Sequence, residues 1–300
     1  MEASVGTVTG PPRGVRRFLL PTYVVLVIAY TLIPIGVMVL YGFNQATNDR
    51  LTFAWNGFTL EWYRRLFEIP DLTDALVHSL EIAALSTAIA TAIGIPAALA
   101  LARYRFRGKA AGELVILADI AAPSVVVGAS LLGFFVYLGV PRGFGTILLA
   151  HVAFNVAFVV VVLQARVGDL DESLGEAARD LGASPWVAFW KVTFPLIFPG
   201  ILAAALLAFA LSIDDFIITS FVAGQTLTFP LWVYGAVKVG IPPQVFVMGT
   251  LIFVTGVLFA IAAWIAQRRG ATAEATTVQM PEPDRDAASP GPYPQSSAAG

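Results

Sequence analysis

Two groups of residues have types and spacings that suit chemistry. The first is a set of carboxylates inside otherwise apolar stretches: Glu81, Asp119, and the adjacent pair Asp214 and Asp215. In a bilayer each such group costs about 2.5–3.5 kcal/mol on insertion scales, so each is a functional candidate. Carboxylates held in a low-dielectric setting attract a cation far more strongly than in water. Asp214 and Asp215 are neighbours on one helix and point about 100° apart, so one of the two faces any given pathway. The second group is a charged interlude at 166–194 holding Glu176, Asp180 and Gly182. His151 also falls in an apolar stretch and reads as a packing histidine with satisfied nitrogens.

Composition says what must position these groups. The chain has 300 residues, of which 57% are hydrophobic and 13% charged. A soluble domain carries about 25% charged residues. The mean hydropathy is +0.78, and no soluble fold of this size hides that much apolar surface. A formal net charge of −2 argues against nucleic acid as a partner. The chain has no cysteine, hence no disulfide, thiolate nucleophile or cysteine metal site. The class that remains is an all-α polytopic membrane protein.

Six long stretches are nearly free of charge, bounded by residues 17–49, 81–103, 113–142, 142–166, 191–214 and 238–268. Each can supply the ~20 apolar residues that a spanning helix needs. None shows the alternation of a membrane β-barrel. The stretch 216–237 is also uncharged but rich in Thr, Ser, Gly and Pro. Charge counting decides against it as a seventh span. With six spans and both termini inside, 13 of the 18 lysines and arginines fall on the inner side, as the positive-inside rule requires. The fifth span is then expected to run to about Val222, with 223–244 an external loop that touches the membrane surface near Trp232 and Tyr234. The basic N-terminus and first apolar run read as an uncleaved helix rather than a signal peptide. Residues 60–69, within an external loop at 44–74, read as a short interfacial helix. Pro34, Pro96 and Pro123 read as helix kinks. Residues 1–17 form a basic inner segment, and 270–300 read as a disordered tail.

The interlude at 166–194 lies on the inner side and is far longer than a plain connector of about 2–8 residues. Asp169 or Asp171 can cap a first helix, and Leu174, Ala177, Ala178 and Leu181 share one face of it. Gly182 ends that helix in a left-handed turn. Ser184 caps a second helix with Pro185 in its first turn, and Pro195 closes it. A helix–glycine–helix elbow with small residues at its centre lets another protein approach closely.

At this point the sequence resembles a known family. Glu176-Ala177-Ala178, three residues, Gly182, nine residues, then Val192-Thr193-Phe194-Pro195 is similar to the EAA loop of ABC-importer permeases. Val192 and Phe194 replace the family's Ile and Leu. Three further stretches resemble the second permease subunit of spermidine/putrescine importers. They are Phe58-Thr59-Leu60-Glu61-Trp62-Tyr63, then His78-Ser79-Leu80 with 103–109, and Leu211-Ser212-Ile213-Asp214-Asp215-Phe216 with 228–234.

The resemblance implies a type I (MetI-like) permease fold of six transmembrane helices in a bacterial inner membrane. It implies a second permease chain, two ABC ATPase subunits and an extracytoplasmic solute-binding protein. ATP and Mg would be held by the ATPase, since no phosphate-binding Gly-rich loop occurs here, and this chain would carry no cofactor and no enzyme activity. Glu176, Ala177, Ala178, Asp180, Gly182 and Pro195 would couple to the ATPase. Glu81, Asp119, Asp214 and Asp215 would line the path of a small cation such as a polyamine. Other solutes of this branch, an opine or an iron complex, and a secondary transporter are the alternatives. An intramembrane enzyme lacks its motifs, because neither H-E-x-x-H nor G-x-S-x-G occurs.

Overall fold

The computed structural model describes residues 13–46, 54–171 and 173–278. Twelve helices follow in order among them: α1 (Arg13–Tyr41), α2 (Glu61–Arg64), α3 (Pro70–Arg103), α4 (Lys109–Ala121), α5 (Ser124–Tyr137), α6 (Phe144–Gly168), α7 (Ser173–Asp180), α8 (Pro185–Ala188), α9 (Phe194–Asp214), α10 (Ile217–Val222), α11 (Phe229–Val239) and α12 (Gln244–Val278). A π-helical turn, Phe189–Thr193, joins α8 to α9. Five helical stretches are long and apolar enough to span a bilayer, and a sixth span is the bent pair α4–α5. The all-helical, six-span reading therefore holds among the described residues.

Small residues decide how the central helices pack. Gly200, Ala204, Ala208 and Ser212 recur every fourth residue on α9 and are all buried. On α3 the buried positions include Ser79, Ala83, Ser86, Ala90, Gly94 and Ala98. Lipid gives little hydrophobic drive between helices, so close backbone approach supplies the contact energy. The approach is tightest at Gly94, where a Cβ would lie 2.4 Å from Val159 Cγ1 on α6. Val159 is fully buried and cannot swing aside. Gly94→Ala is therefore expected to destabilise the permease by about 1–3 kcal/mol, the usual cost of overpacking. A lower melting midpoint of the detergent-solubilised protein would register it, and an unchanged midpoint would contradict this packing.

Several sequence expectations are corrected. The third span is not one helix. Pro123 forces Ala122 into extended backbone (φ −70°, ψ 132°), and α4 and α5 meet at 108°, so Pro123 is a break rather than a kink. Pro34 and Pro96 do lie inside helices. The fifth span does not reach Val222, because it stops at Asp214 and Asp215 is extended (φ −66°, ψ 117°). Pro195 does not close the second loop helix. The π turn before it redirects backbone bonding, with Phe194 N donating to Phe189 O, so the proline enters α9 without ending the helix.

The helix expected at 60–69 covers only Glu61–Arg64. One face of this segment docks on protein: Trp62 and Leu66 are buried against Val245, Val247 and Met248 of α12. Trp62 Nε1 donates to Asn44 O (2.8 Å), which ties this loop to the end of α1. The segment 223–244 holds α11, whose 11 residues span about half a bilayer; its Trp232 packs on the same cluster, while Tyr234 is exposed. Residues 270–278, expected to be disordered, continue α12, since an Ala/Thr/Glu run without proline lets the helix propagate. The expectations for 1–12 and 279–300 lie outside the described residues.

Candidate functional site

The break between α9 and α10 builds the first candidate site. Asp215 sits in the break and caps α10, its Oδ2 accepting from Thr219 N (2.8 Å) and from Thr219 Oγ1 (2.8 Å). Its Oδ1 takes a longer contact from Ile218 N (3.4 Å). The far end of α10 is held too, because Thr146 Oγ1 of α6 donates to Val222 O (2.8 Å). A side chain in place of Gly224 (φ +59°) would strike Arg142 O at 2.4 Å, so the turn after α10 also requires glycine.

Asp215 and Asp119 line one cavity of about 150 Å³. Asp119 arrives there because α4 ends at the Pro123 break. Phe154 and Phe158 of α6 supply aromatic wall, and Ser124, Leu211 and Ile218 complete it. Asp119 Oδ2 is buried with no hydrogen-bond partner in the protein. Two carboxylates, one with an unpartnered oxygen, beside aromatic rings form a site suited to an ammonium group. Asp214 is exposed and Glu81 is exposed on α3; neither lines this cavity.

A buried polar network reaches Asp215 from behind. His151, 1% exposed, places Nε2 2.9 Å from Thr219 Oγ1 and 3.5 Å from Asp215 Oδ2. Its Nδ1 is 2.7 Å from Ser212 Oγ. Ser212 meets Ser86 Oγ at 3.0 Å, and Asn155 Nδ2 donates to Ser86 (3.4 Å). Both imidazole nitrogens are engaged, as a packing histidine would be, but the partners include a carboxylate of the cavity. Sequence reasoning missed Ser86, Asn155, Ser212 and Thr219. The amide of Asn155 in the middle of an apolar span was the available signal.

The second candidate site is the elbow. Asp171 Oδ1 accepts from Ser173 N (2.9 Å), which caps α7 and lowers the Asp171 pKa below its usual range. After α7, Gly182 is left-handed (φ +85°). Gly182 N donates to Arg179 O (2.8 Å) and Ala183 N to Ala178 O (3.0 Å), the paired bonds of a Schellman turn. Ser184 then caps α8, accepting from Val187 N (3.4 Å).

No described residue of α7 is buried. Glu176, Ala177 and Asp180 are exposed, Ala178 is half-buried, and Leu181 is 91% exposed. An apolar and acidic helix surface is thus left open among the described residues, with α7 resting on α8 and the π turn at its base. The root of the elbow is firm: Arg166 Nη2 donates to Leu196 O (3.2 Å), and its side chain fills the space that a Cβ on Gly200 would need. Pro195 lies at that root, in the first turn of α9.

Residue pairs from the quoted motifs interlock at the opposite end of the bundle. Phe229 N, at the start of α11, donates to Ser79 Oγ (2.8 Å), and His78 Nδ1 lies 3.1 Å from Leu227 O.

Comparison with known proteins follows from this geometry. Residues 90–270 match the family described as "Binding-protein-dependent transport system inner membrane component". The chain is 36% identical over 255 residues to the spermidine/putrescine transport system permease protein PotC of Haemophilus influenzae, covering 85% of this chain and 98% of the relative. It is 39% identical over 256 residues to the putrescine transport system permease protein PotI of Escherichia coli, covering 82% and 90%. Among solved structures, a bacterial ABC transporter involved in import of the acidic polysaccharide alginate superposes with TM-score 0.62 at 18% identity, covering 86% of this chain and 98% of that one. The MetNI methionine ABC transporter gives 0.52 at 18% identity, covering 69% and 96%. Helix order, a broken span around an acidic cavity and this likeness agree: the chain belongs to the inner membrane components of binding-protein-dependent transport systems, as a multi-pass ABC-importer permease of MetI-like fold.

Proposed function

We propose that this permease forms half of the path by which a small polyammonium ion, a polyamine such as putrescine or spermidine, is imported at the cost of ATP. The observation that carries the substrate class is the cavity shared by Asp119 and Asp215. A flexible diammonium ion suits two separated carboxylates and aromatic faces. The relatives named for spermidine and putrescine transport support the same class.

The elbow serves coupling. Arg103, Arg105, Arg107, Lys109, Arg166, Arg179 and Lys191 border the elbow along the chain, and the positive-inside rule supports reading that end as cytoplasmic. One subunit of a nucleotide-driven ATPase pair grips α7, with Glu176 and Asp180 meeting basic residues and Ala177 and Ala178 allowing close approach. ATP and Mg belong to those partners. A second permease chain completes the path, and an extracytoplasmic binding protein delivers solute at the end formed by α2 and α11. Closure of the ATPases rocks the helices between inward- and outward-open states.

Purification of the tagged protein from native membranes tests this reading. Wild type is expected to bring down an ATPase and a second permease, and the Glu176→Ala variant to recover at least about tenfold less ATPase, as loss of a charged contact of ~1.5–3 kcal/mol predicts. A wild-type chain that emerges alone under mild detergent would favour a secondary transporter.

A further inference from the structure

His151 lies behind the cavity, touches no cavity surface, and is joined to Asp215. With the imidazole carrying a single proton, the hydrogen bonds around it have one consistent direction. Thr219 Oγ1 must donate to the carboxylate of Asp215, which only accepts. That hydroxyl oxygen can then accept from His151, so Nε2 carries the proton. Nδ1 is left as an acceptor and takes the Ser212 hydroxyl proton. Ser212 in turn accepts from Ser86, and Ser86 from Asn155 Nδ2. Thr219 and Ser212 each donate once and accept once, and the Ser86 proton lies within reach of both Ser212 Oγ (3.0 Å) and Ala83 O (3.3 Å). The chain crosses α3, α6, α9 and α10 and ends on Asp215 Oδ2.

We propose that His151 is a positioning residue for transport, whose Nε2–H fixes Thr219 and Oδ2 of Asp215 so that the carboxylate is presented to the cavity. The proposal rests on the reading of Asp215 as a ligand for the transported cation. Two features favour it over a purely structural role. Oδ2 is occupied by Thr219 and flanked by the imidazole, whereas Oδ1 has one long contact, so one oxygen keeps capacity for a cation. The backbone at Asp215 is extended rather than helical, so its side chain is held by the end of α10 and by the Thr219 hydroxyl, and His151 sets the direction of that hydroxyl. Among the described ionisable groups, Asp215 in the break and Asp119 on α4 are those that face this region.

The test uses the assembled transporter with its ATPase, partner permease and binding protein in proteoliposomes, with labelled putrescine as probe. Three variants separate the two imidazole nitrogens. A glutamine amide reaches the Nε2 position, an asparagine amide the Nδ1 position, and phenylalanine fills the volume with neither. His151→Gln is expected to keep most of the maximal uptake rate per assembled complex. His151→Asn and His151→Phe are expected to lower it about tenfold, as leaving the buried Thr219 hydroxyl oxygen without its donor does. The concentration of loaded binding protein at half-maximal rate should not change, since docking occurs elsewhere.

Equal rates for His151→Gln and His151→Asn, or a wild-type rate for His151→Phe, overturns the proposal. If the His151 variants do not assemble, Thr219→Val decides. It is isosteric, cuts the chain next to Asp215, and is expected to lose rate as His151→Phe would, with Thr219→Ser restoring it; a wild-type rate for Thr219→Val overturns the proposal. Asp215→Asn runs in parallel. Normal uptake by that variant removes the underlying reading of Asp215. Failed uptake there beside normal uptake by His151→Phe removes the role of His151 alone.

Discussion

Asp215→Asn is expected to assemble with its partners in normal amount and to import polyamine at about a tenth of the wild-type rate or less. The carboxamide has the same shape, and its Oδ1 can still accept from Thr219 N, so the cap on α10 survives. What disappears is the charge. Two unit charges at 4 Å interact by about 4 kcal/mol at an effective dielectric of 20, and a third of that already makes a tenfold difference in an equilibrium constant. Asp214→Asn is the matched control. Asp214 is exposed at the end of α9 and lines no part of the cavity, and its replacement is expected to change uptake less than about twofold. Labelled-polyamine uptake by the reconstituted complex measures both. Equal losses in the two variants would mean that net charge near the entrance, not the cavity carboxylate, governs transport.

Gly182→Pro is expected to leave abundance of the permease unchanged while recovery of the ATPase falls by an order of magnitude or more. Gly182 sits at φ +85°, and a side chain there costs roughly 1–2 kcal/mol. Proline is worse, since its φ is held near −65° and it has no N–H to donate to Arg179 O. No described side chain of α7 is buried, so packing does not oppose the strain. The turn reorganises locally instead of unfolding the bundle. A local penalty of 1–2 kcal/mol lowers the population of the elbow by roughly 5–30-fold. Substitutions should therefore rank Asn, Ala, Val, Pro in increasing severity, because asparagine enters the left-handed region most readily. Co-purified ATPase per permease reads this order directly. A flat series would show that the elbow angle does not control docking.

The elbow was legible in the sequence because its signals are local. Asp171, Gly182, Ser184 and Pro185 each act on backbone groups within a few residues, and all four occur where the structure uses them. The six spans were legible for a similar reason, since bilayer thickness demands long apolar runs. The break at Pro123 was underread: a proline in an apolar run either kinks a continuing helix or ends it, and neighbouring packing chooses between the two. At Pro195 the π turn spared the helix.

The residue types thus dictated a multi-pass helical membrane protein, an elbow held away from the bundle and carboxylates at membrane depth, because hydropathy, capping and charge cost belong to single residues and their near neighbours. Pairing Asp215 with Asp119 rather than with Asp214 or Glu81 was a tertiary decision. So was the link from His151 through Thr219, 68 residues apart. Those contacts depend on where α4 stops, on how closely Gly94 and the small face of α9 let helices approach, and on the break after Asp214, and each is fixed by helices meeting in space rather than by spacing along the chain.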